Sequence, residues 1–260
     1  MEELTQNTVA KSELAPSTLA QATRSSGKYR HENKYAIDYF NYTVLAQKLK
    51  LIMQPDIHAG DDGSYLVTSL YFDNCFDKAL KEKLHGVSNR EKFRLRYYGD
   101  DTENIFLEKK QKVNGLCLKT SEKVSPEIVR DLLDGRQTML IKDMLAGSPE
   151  QSQSQSQPLL RELLFKMQTQ LLRPKAIVAY DREAYTYPAG NVRITFDSNI
   201  STGLSPDWFF EPDKQVLESP VIIMEVKYDE FLPEMIRHAV QPHATRLQAF
   251  SKYASARSMA

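Results

Sequence analysis

The sequence predicts an α+β protein, an eight-stranded antiparallel β-barrel with helices packed on its outside. Three observations lead there. Eight segments alternate in the two-residue rhythm of a strand, and at least six set a charged face against an apolar one. Hairpin turns or short helices join them, as suits antiparallel neighbours. Amphipathic stretches at 38–53, 126–145, 159–172 and 231–255 can cover an apolar outer face. Closing eight strands removes their edges and leaves a narrow interior, which here would hold charge.

The chain has 260 residues, 41% of them apolar, enough for a core. Lys plus Arg equals Asp plus Glu, 34 each, so the global basic field of a nucleic-acid binder is absent and any anion site is local. Cys75 and Cys117 are the only cysteines, at no metal-ligand spacing, which fits a reducing compartment. No run approaches the ~20 apolar residues of a membrane span, and the N-terminus has no apolar signal core. A cytoplasmic protein is expected.

Residues 1–27, rich in Ser, Thr, Gln and Ala, read as a disordered tail, and residues 28–257 as one domain. Tyr29 to Ile37 is the first strand, with Arg30, Glu32 and Lys34 on one face. Asp38 caps a helix to about Met53. Tyr65 to Phe72 is a strand, Asp73 and Asn74 turn the chain, and Phe76 to Leu84 is a short helix. A strand from about Val87 puts Arg90, Lys92, Arg94 and Arg96 on one face and Phe93, Leu95 and Tyr97 on the other. The chain returns over 104–112 and turns at Asn114-Gly115 into 116–124. Ser125-Pro126-Glu127 opens helical sequence that breaks at Gly135 and runs to Leu145. A Gln/Ser-rich stretch, 148–158, is read as a surface loop before a helix at 159–172. Strands at 175–185 and 192–200 form a hairpin, 221–227 is the eighth strand, and helix is expected from Glu230 onward.

Register follows from two of the turns. With Asn114-Gly115 as the loop, Lys112 lies opposite Cys117, Lys110 opposite Lys119 and Glu108 opposite Ser121. Pairing Tyr187 with Val192 sets Arg182 opposite Asp197 and Thr186 opposite Arg193, with Tyr180 on the same face. Like charges directly opposite cost a few tenths to about 1 kcal/mol, a sign that a bound anion would reverse. The five histidines share no motif and read as surface or structural, with His31 outward by parity. Trp208 and Phe209-Phe210 read as packing.

Eight segments in order, YRHENKY at Tyr29, SLYFDN at Ser69, REKFRLRYY at Arg90, FLEKKQK at Phe106, AYDREAY at Ala179, RITFD at Arg193, IIMEVKY at Ile222 and FSKY at Phe250, resemble the triphosphate tunnel metalloenzymes of the CYTH-like superfamily. Within them the resemblance is to the vacuolar transporter chaperone (VTC) or polyphosphate polymerase domain. It implies an antiparallel tunnel that binds the phosphates of ATP or another nucleoside triphosphate, or polyphosphate and pyrophosphate, with a divalent metal, Mn²⁺ favoured over Mg²⁺. The catalytic cations it implies are Arg94, Arg96, Lys110, Lys119, Arg182 and Arg193. Arg30, Lys34, Tyr180, Lys227, Ser251 and Lys252 would bind substrate. Glu225 would hold the metal, while Glu32 and Glu108 stand between metal shell and charge partner.

The implied reaction moves the γ-phosphate of a nucleotide onto a growing polyphosphate. The alternatives are a tripolyphosphatase or nucleoside triphosphatase of the same fold, and a noncatalytic polyphosphate-binding module. Ala249 stands where family polymerases carry an additional Lys, with Arg246 the nearest cation upstream. Eukaryotic relatives carry a phosphate-sensing and a membrane domain beside this one. Coupling to transport is therefore expected to need a membrane-protein partner from a separate chain, at the inner face of the membrane. Removing Arg94 is expected to lose phosphate binding at little cost in stability.

Overall fold

The computed structural model describes residues 28–57, 60, 63–146, 157–203, 205–211, 216–219, 221–241 and 250–259. The expected tail at 1–27, most of the 148–158 loop, and His58, His243, Arg246 and Ala249 lie outside them. The strands are β1 (His31–Ile37), β2 (Gln54–Pro55), β3 (Ser64–Asp73), β4 (Arg90–Tyr98), β5 (Ile105–Val113), β6 (Leu116–Val124), β7 (Arg173–Tyr187), β8 (Val192–Gly203), β9 (Val216–Ser219) and β10 (Ile222–Tyr228). The helices are α1 (Tyr39–Ile52), α2 (Lys78–Leu84), α3 (Pro126–Leu133), α4 (Gln137–Ala146), α5 (Pro158–Thr169), α6 (Glu234–Ala239) and α7 (Lys252–Met259).

One antiparallel sheet runs β1-β10-β8-β7-β3-β4-β5-β6. These are the eight strands expected; β2 on β7 and β9 on β8 are additions too short to leave a periodic signal. The sheet curls until its edges approach, but β1 and β6 form no ladder. They meet at one bridge, where Arg30 and Cys117 exchange two backbone hydrogen bonds of 3.0 Å. The Lys110 ammonium donates to Glu32 past this seam, so side chains finish the closure that backbone pairing begins.

Local chemistry explains the joints. Asp38 Oδ1 accepts the Asn41 N–H at 2.7 Å and starts α1. Asn114 and Gly115 have φ of +48° and +89°, the left-handed pair a two-residue hairpin needs, and this fixes the β5–β6 register. The expected helix at Phe76 begins two residues later because Asn74 Oδ1 takes the Phe76 and Lys78 amides. Asp73 accepts the amides of Asn74, Ala79 and Leu80, so Asp73-Asn74 is the turn that ties α2 to β3. Helix begins at Glu234 and not at Glu230, since Pro233 stands at the N-cap.

Two apolar clusters lie outside the curled sheet. Leu70, Phe72, Phe93, Leu95 and Leu107 pack under α3 and α5, together with Phe209 of a 3₁₀ turn whose carbonyl accepts the Tyr97 hydroxyl at 2.9 Å. Tyr185, Ile194, Phe196, Met224 and Val226 pack under α1 and α6. A third cluster is on the inner face, where Tyr71, Val178, Tyr180 and Ile223 pack against Tyr253 and Ala256 of α7. The charge shares that inner face.

Candidate active site

The side chains of Arg94 and Arg96, Lys110, Arg182, Glu225 and Lys227, and Glu32 and Lys34 turn to a common lumen from five strands. They border a cavity of about 450 Å³ lined by eleven Lys and Arg residues against three Glu, of which Glu91 turns its carboxylate to Lys109 and Lys166 instead. The deepest layer centres on Tyr180, whose hydroxyl accepts from Arg96 (2.9 Å) and Arg182 (3.3 Å). Arg182 forks onto Asp197 at 2.6 and 2.8 Å, and Arg96 also donates to Ser69 at 3.0 Å. Asp197 is fully buried, so its carboxylate persists only through Arg182 and Lys252, which hold it below the usual range despite burial. Lys252 enters from the start of α7 and reaches both Asp197 and Glu225, the latter at 3.3 Å. Tyr253, next along, donates to Asp73 at 2.7 Å and anchors that helix.

Glu225 is clasped by Lys34 (2.6 Å), Lys227 (3.0 Å) and Lys252, with Arg182 at 4.0 Å. Lys34 also reaches Glu32 at 3.3 Å, so one ammonium bridges the two carboxylates. Burial would raise both carboxyls; the surrounding lysines win and hold them well below their ordinary values. Lys34 is raised by the same pairing, whereas burial pushes Lys227 down to about 8 despite Glu225 and Glu32. Arg94 forks onto Glu108 at 2.6 and 2.7 Å and donates to the Tyr71 hydroxyl at 3.2 Å. Burial opposes ionisation of Tyr71, but Arg94, Lys92 and Arg96 outweigh it and bring the phenol below its usual value.

Eleven of the fifteen residues proposed from the sequence border this cavity: Arg94, Arg96, Lys110, Arg182, Lys34, Tyr180, Lys227, Ser251, Lys252, Glu225 and Glu32. Four do not. Arg193 is held by Asp56 and the Tyr65 hydroxyl, each at 2.9 Å. Arg30 pairs with Asp229 at 2.8 Å. Glu108 is buried behind Arg94, and Lys119 is bound to it at 2.9 Å, which makes Glu108 an arginine's counterion. Lining residues not chosen from the sequence include Tyr71, Lys83, Arg90, Lys92 and Lys112. Parity already aligned Arg90 and Lys92 with Arg94; Tyr71 needed the β3–β4 register, which no tight turn reveals.

Among the described residues no three of His, Cys, Asp and Glu lie close enough to hold a metal alone. Two hard oxygen donors, Glu32 and Glu225, face the lumen. Such a pair suits a cation that takes its remaining ligands from substrate phosphates and water.

No helix among the described residues is long and apolar enough to cross a membrane. A match to the VTC domain covers residues 29–260. Subunit 4 of the vacuolar transporter chaperone complex of Schizosaccharomyces pombe is 26% identical over 263 residues, which are 86% of this chain and 36% of that protein. The chain thus spans about a third of the length of this relative. Solved structures with a similar fold include a Bacillus halodurans protein described as a candidate adenylate cyclase (14% identity, TM-score 0.46, 83% of this chain and 87% of that one) and protein PH1819 of Pyrococcus horikoshii (12% identity, TM-score 0.43, 89% and 100%). The motif order, the curled sheet with its cationic lumen, and a family match over nearly the whole described chain together establish that this protein belongs to the VTC domain family.

Proposed function

We propose that this chain is a polyphosphate polymerase, transferring the γ-phosphoryl group of ATP or another nucleoside triphosphate onto a polyphosphate end inside the lumen. The observation that carries the reading is the cavity with eleven cations, toward which the carboxylates of Glu32 and Glu225 turn, a surplus suited to a chain of phosphates. Phosphoryl transfer asks a protein mainly for in-line positioning and for positive charge around the transferred group. Arg94, Arg96 and Arg182 present guanidinium donors to phosphate oxygens, while Lys34, Lys110, Lys227 and Lys252 neutralise the rest. The attacking oxygen belongs to a phosphate that is already ionised, so no histidine base is required; among the described residues His31 is the one histidine that borders the cavity, and its ring stacks on Tyr228.

Glu225, with Glu32 beside it, would hold a divalent cation, Mn²⁺ in preference to Mg²⁺, together with the nucleotide's phosphates. When bound, the cation would supply positive charge that draws off the charge developing on the leaving diphosphate. Both carboxylates are engaged by lysines in the empty protein, and incoming phosphates compete for those lysines. Substrate and cation therefore enter together. A membrane partner from another chain would place the product's exit at a bilayer.

Incubating the purified protein with ATP and Mn²⁺ tests this. Nucleoside diphosphate appearing in step with acid-stable polymer is expected. Orthophosphate without polymer would make the chain a hydrolase instead, and tight polyphosphate binding with no turnover would make it a binding module.

A further inference from the structure

The charge in the lumen is not evenly compensated. Toward β1, β8 and β10 the cations Lys34, Lys227, Arg182 and Lys252 each meet Glu32, Glu225 or Asp197 within ion-pair distance. On the β4–β5 wall, Arg90, Lys92 and Lys112 also line the cavity, and among the described residues none meets a carboxylate. The Arg90 guanidinium donates to the Val87 carbonyl, and the Lys92 ammonium lies 5.0 Å from the Tyr71 ring centre. Glu91, between Arg90 and Lys92, turns the other way to Lys109 and Lys166 on the outer face.

The register sharpens the imbalance. Arg90 pairs with Lys112 and Lys92 with Lys110, two successive like-charge pairs directly across the strands. Each such pair costs stability in the empty protein. Burial, with Lys110 and Arg94 adding to it and Tyr71 offsetting it, pushes Lys92 down to about 8, and Lys83 on α2 is lowered by burial and by Arg90 and Lys112. Repeats of ~6.6 Å along a strand and about 5 Å across one set these cations over the width of two adjacent phosphates.

We propose that Arg90, Lys92 and Lys112 form a separate acceptor subsite that holds the terminal phosphates of an oligophosphate chain, inorganic pyrophosphate being the shortest. The word acceptor rests on the polymerase reading above; the anion site itself does not. The division of charge supplies the reason for two subsites. A nucleotide arriving with a divalent cation needs carboxylates as well as lysines, which the inner half provides. An acceptor end without a cation of its own needs uncompensated positive charge, which this wall provides. A terminal acceptor oxygen then attacks the γ-phosphorus: the new O–P bond forms as the bond to the β-bridging oxygen breaks, and the nucleoside diphosphate leaves with that electron pair. No proton moves and no further reactant is consumed.

Calorimetric titration with inorganic pyrophosphate, without nucleotide or metal, tests the subsite on the wild type and on K92M/K112M. The wild type should bind, and the double variant should bind about 100-fold more weakly, at about tenfold per lost charge-assisted contact. Because these cations repel their neighbours, the variant should melt no lower than the wild type. In turnover assays its KM for pyrophosphate should rise while its KM for ATP stays within about twofold. Equal pyrophosphate affinity in both proteins, no binding by the wild type, or a lower melting temperature in the variant would overturn the subsite. Polymer formation with unchanged pyrophosphate affinity would keep the polymerase and discard the subsite. Pyrophosphate binding lost in the variant, with no polymer from the wild type, would keep the anion site and discard its acceptor role.

Discussion

Replacing Glu225 with Gln removes the carboxylate that three lysines share, and the consequence can be worked from its contacts. Lys34, Lys227 and Lys252 lie 2.6, 3.0 and 3.3 Å from it, and the residue is 4% exposed. Without it, three ammonium groups and Arg182 face one another with Asp197 and Glu32 as their remaining counterions. Stripping one partner from a buried charge network costs about 3–5 kcal/mol. For a chain of this size that is a fall in melting temperature of about 10 °C. Inorganic tripolyphosphate should restore most of it, since a ligand at 100 times its Kd contributes about 2.7 kcal/mol. Its metal-free affinity should also rise in the variant, because phosphate no longer competes with Glu225 for the lysines. Metal-dependent transfer should fall about 100-fold or more. Thermal melts with and without tripolyphosphate, at fixed ionic strength, read the first two effects. If E225Q melts within a degree or two of the wild type and binds tripolyphosphate no more tightly, Glu225 is not the internal counterion of this site and the competition argument falls.

Two further outcomes follow from the same contacts. Lys92 and Lys227, both at about 8, release protons in the folded protein that the unfolded chain keeps until about 10.5. Stability of the empty protein should therefore rise between pH 8 and 10, by on the order of 2 kcal/mol given that both side chains touch solvent; it should turn down above that, as Lys34 and Lys252, both raised, lose protons. Chemical denaturation across that range checks this, and a falling curve below pH 10 would contradict it. For Arg94 the sequence led us to expect an almost neutral Arg94→Ala change, but the guanidinium is the main partner of buried Glu108, which would keep only Lys119 at 2.9 Å and Arg96 at 3.9 Å. R94A should lose about 2–3 kcal/mol, R94A/E108Q should regain most of it, and neither should recover tripolyphosphate affinity; a stable R94A would show that Glu108 does not depend on this pair.

The parts legible in the sequence were those whose register a tight turn fixes. Asn114-Gly115 set Lys110 against Lys119, and the turn after Tyr187 set Arg182 against Asp197, both as observed. Strand parity then assigned side chains to the lumen, because an odd-even rule needs no knowledge of partners. Depth within the lumen was not legible. Arg193 shares the inward face with Lys227, its cross-strand neighbour, yet Asp56, from the segment after α1, draws it out of the cavity lining. Tyr71 was missed because α2 separates β3 from β4, and a connection of that length fixes no register. The site of α7 rests on Lys252, Tyr253 and Arg257 meeting Asp197, Asp73 and Asp77, pairs that no local pattern announces.

The graded compensation of charge has a physical cause that ties fold to function. A cation deep in the lumen has lost its water, and without a counterion its desolvation would exceed what the outer apolar core contributes. Arg182 and Lys252 accordingly meet Asp197, and Arg94 meets Glu108, at buried carboxylates. A half-buried cation on the β4–β5 wall keeps part of its hydration and can remain unpaired, as Arg90, Lys92 and Lys112 do. An entering polyanion thus meets unpaired cations on that wall and, deeper in, cations already satisfied. Exchanging those inner carboxylates for phosphate gains little until something takes up the displaced negative charge. On the proposed reading, a divalent cation held by Glu225 would do so, and the metal would then be a condition of deep binding as well as of chemistry. Tripolyphosphate affinity should therefore depend on Mn²⁺ in the wild type and much less in E225Q, where no inner carboxylate at that position has to be displaced.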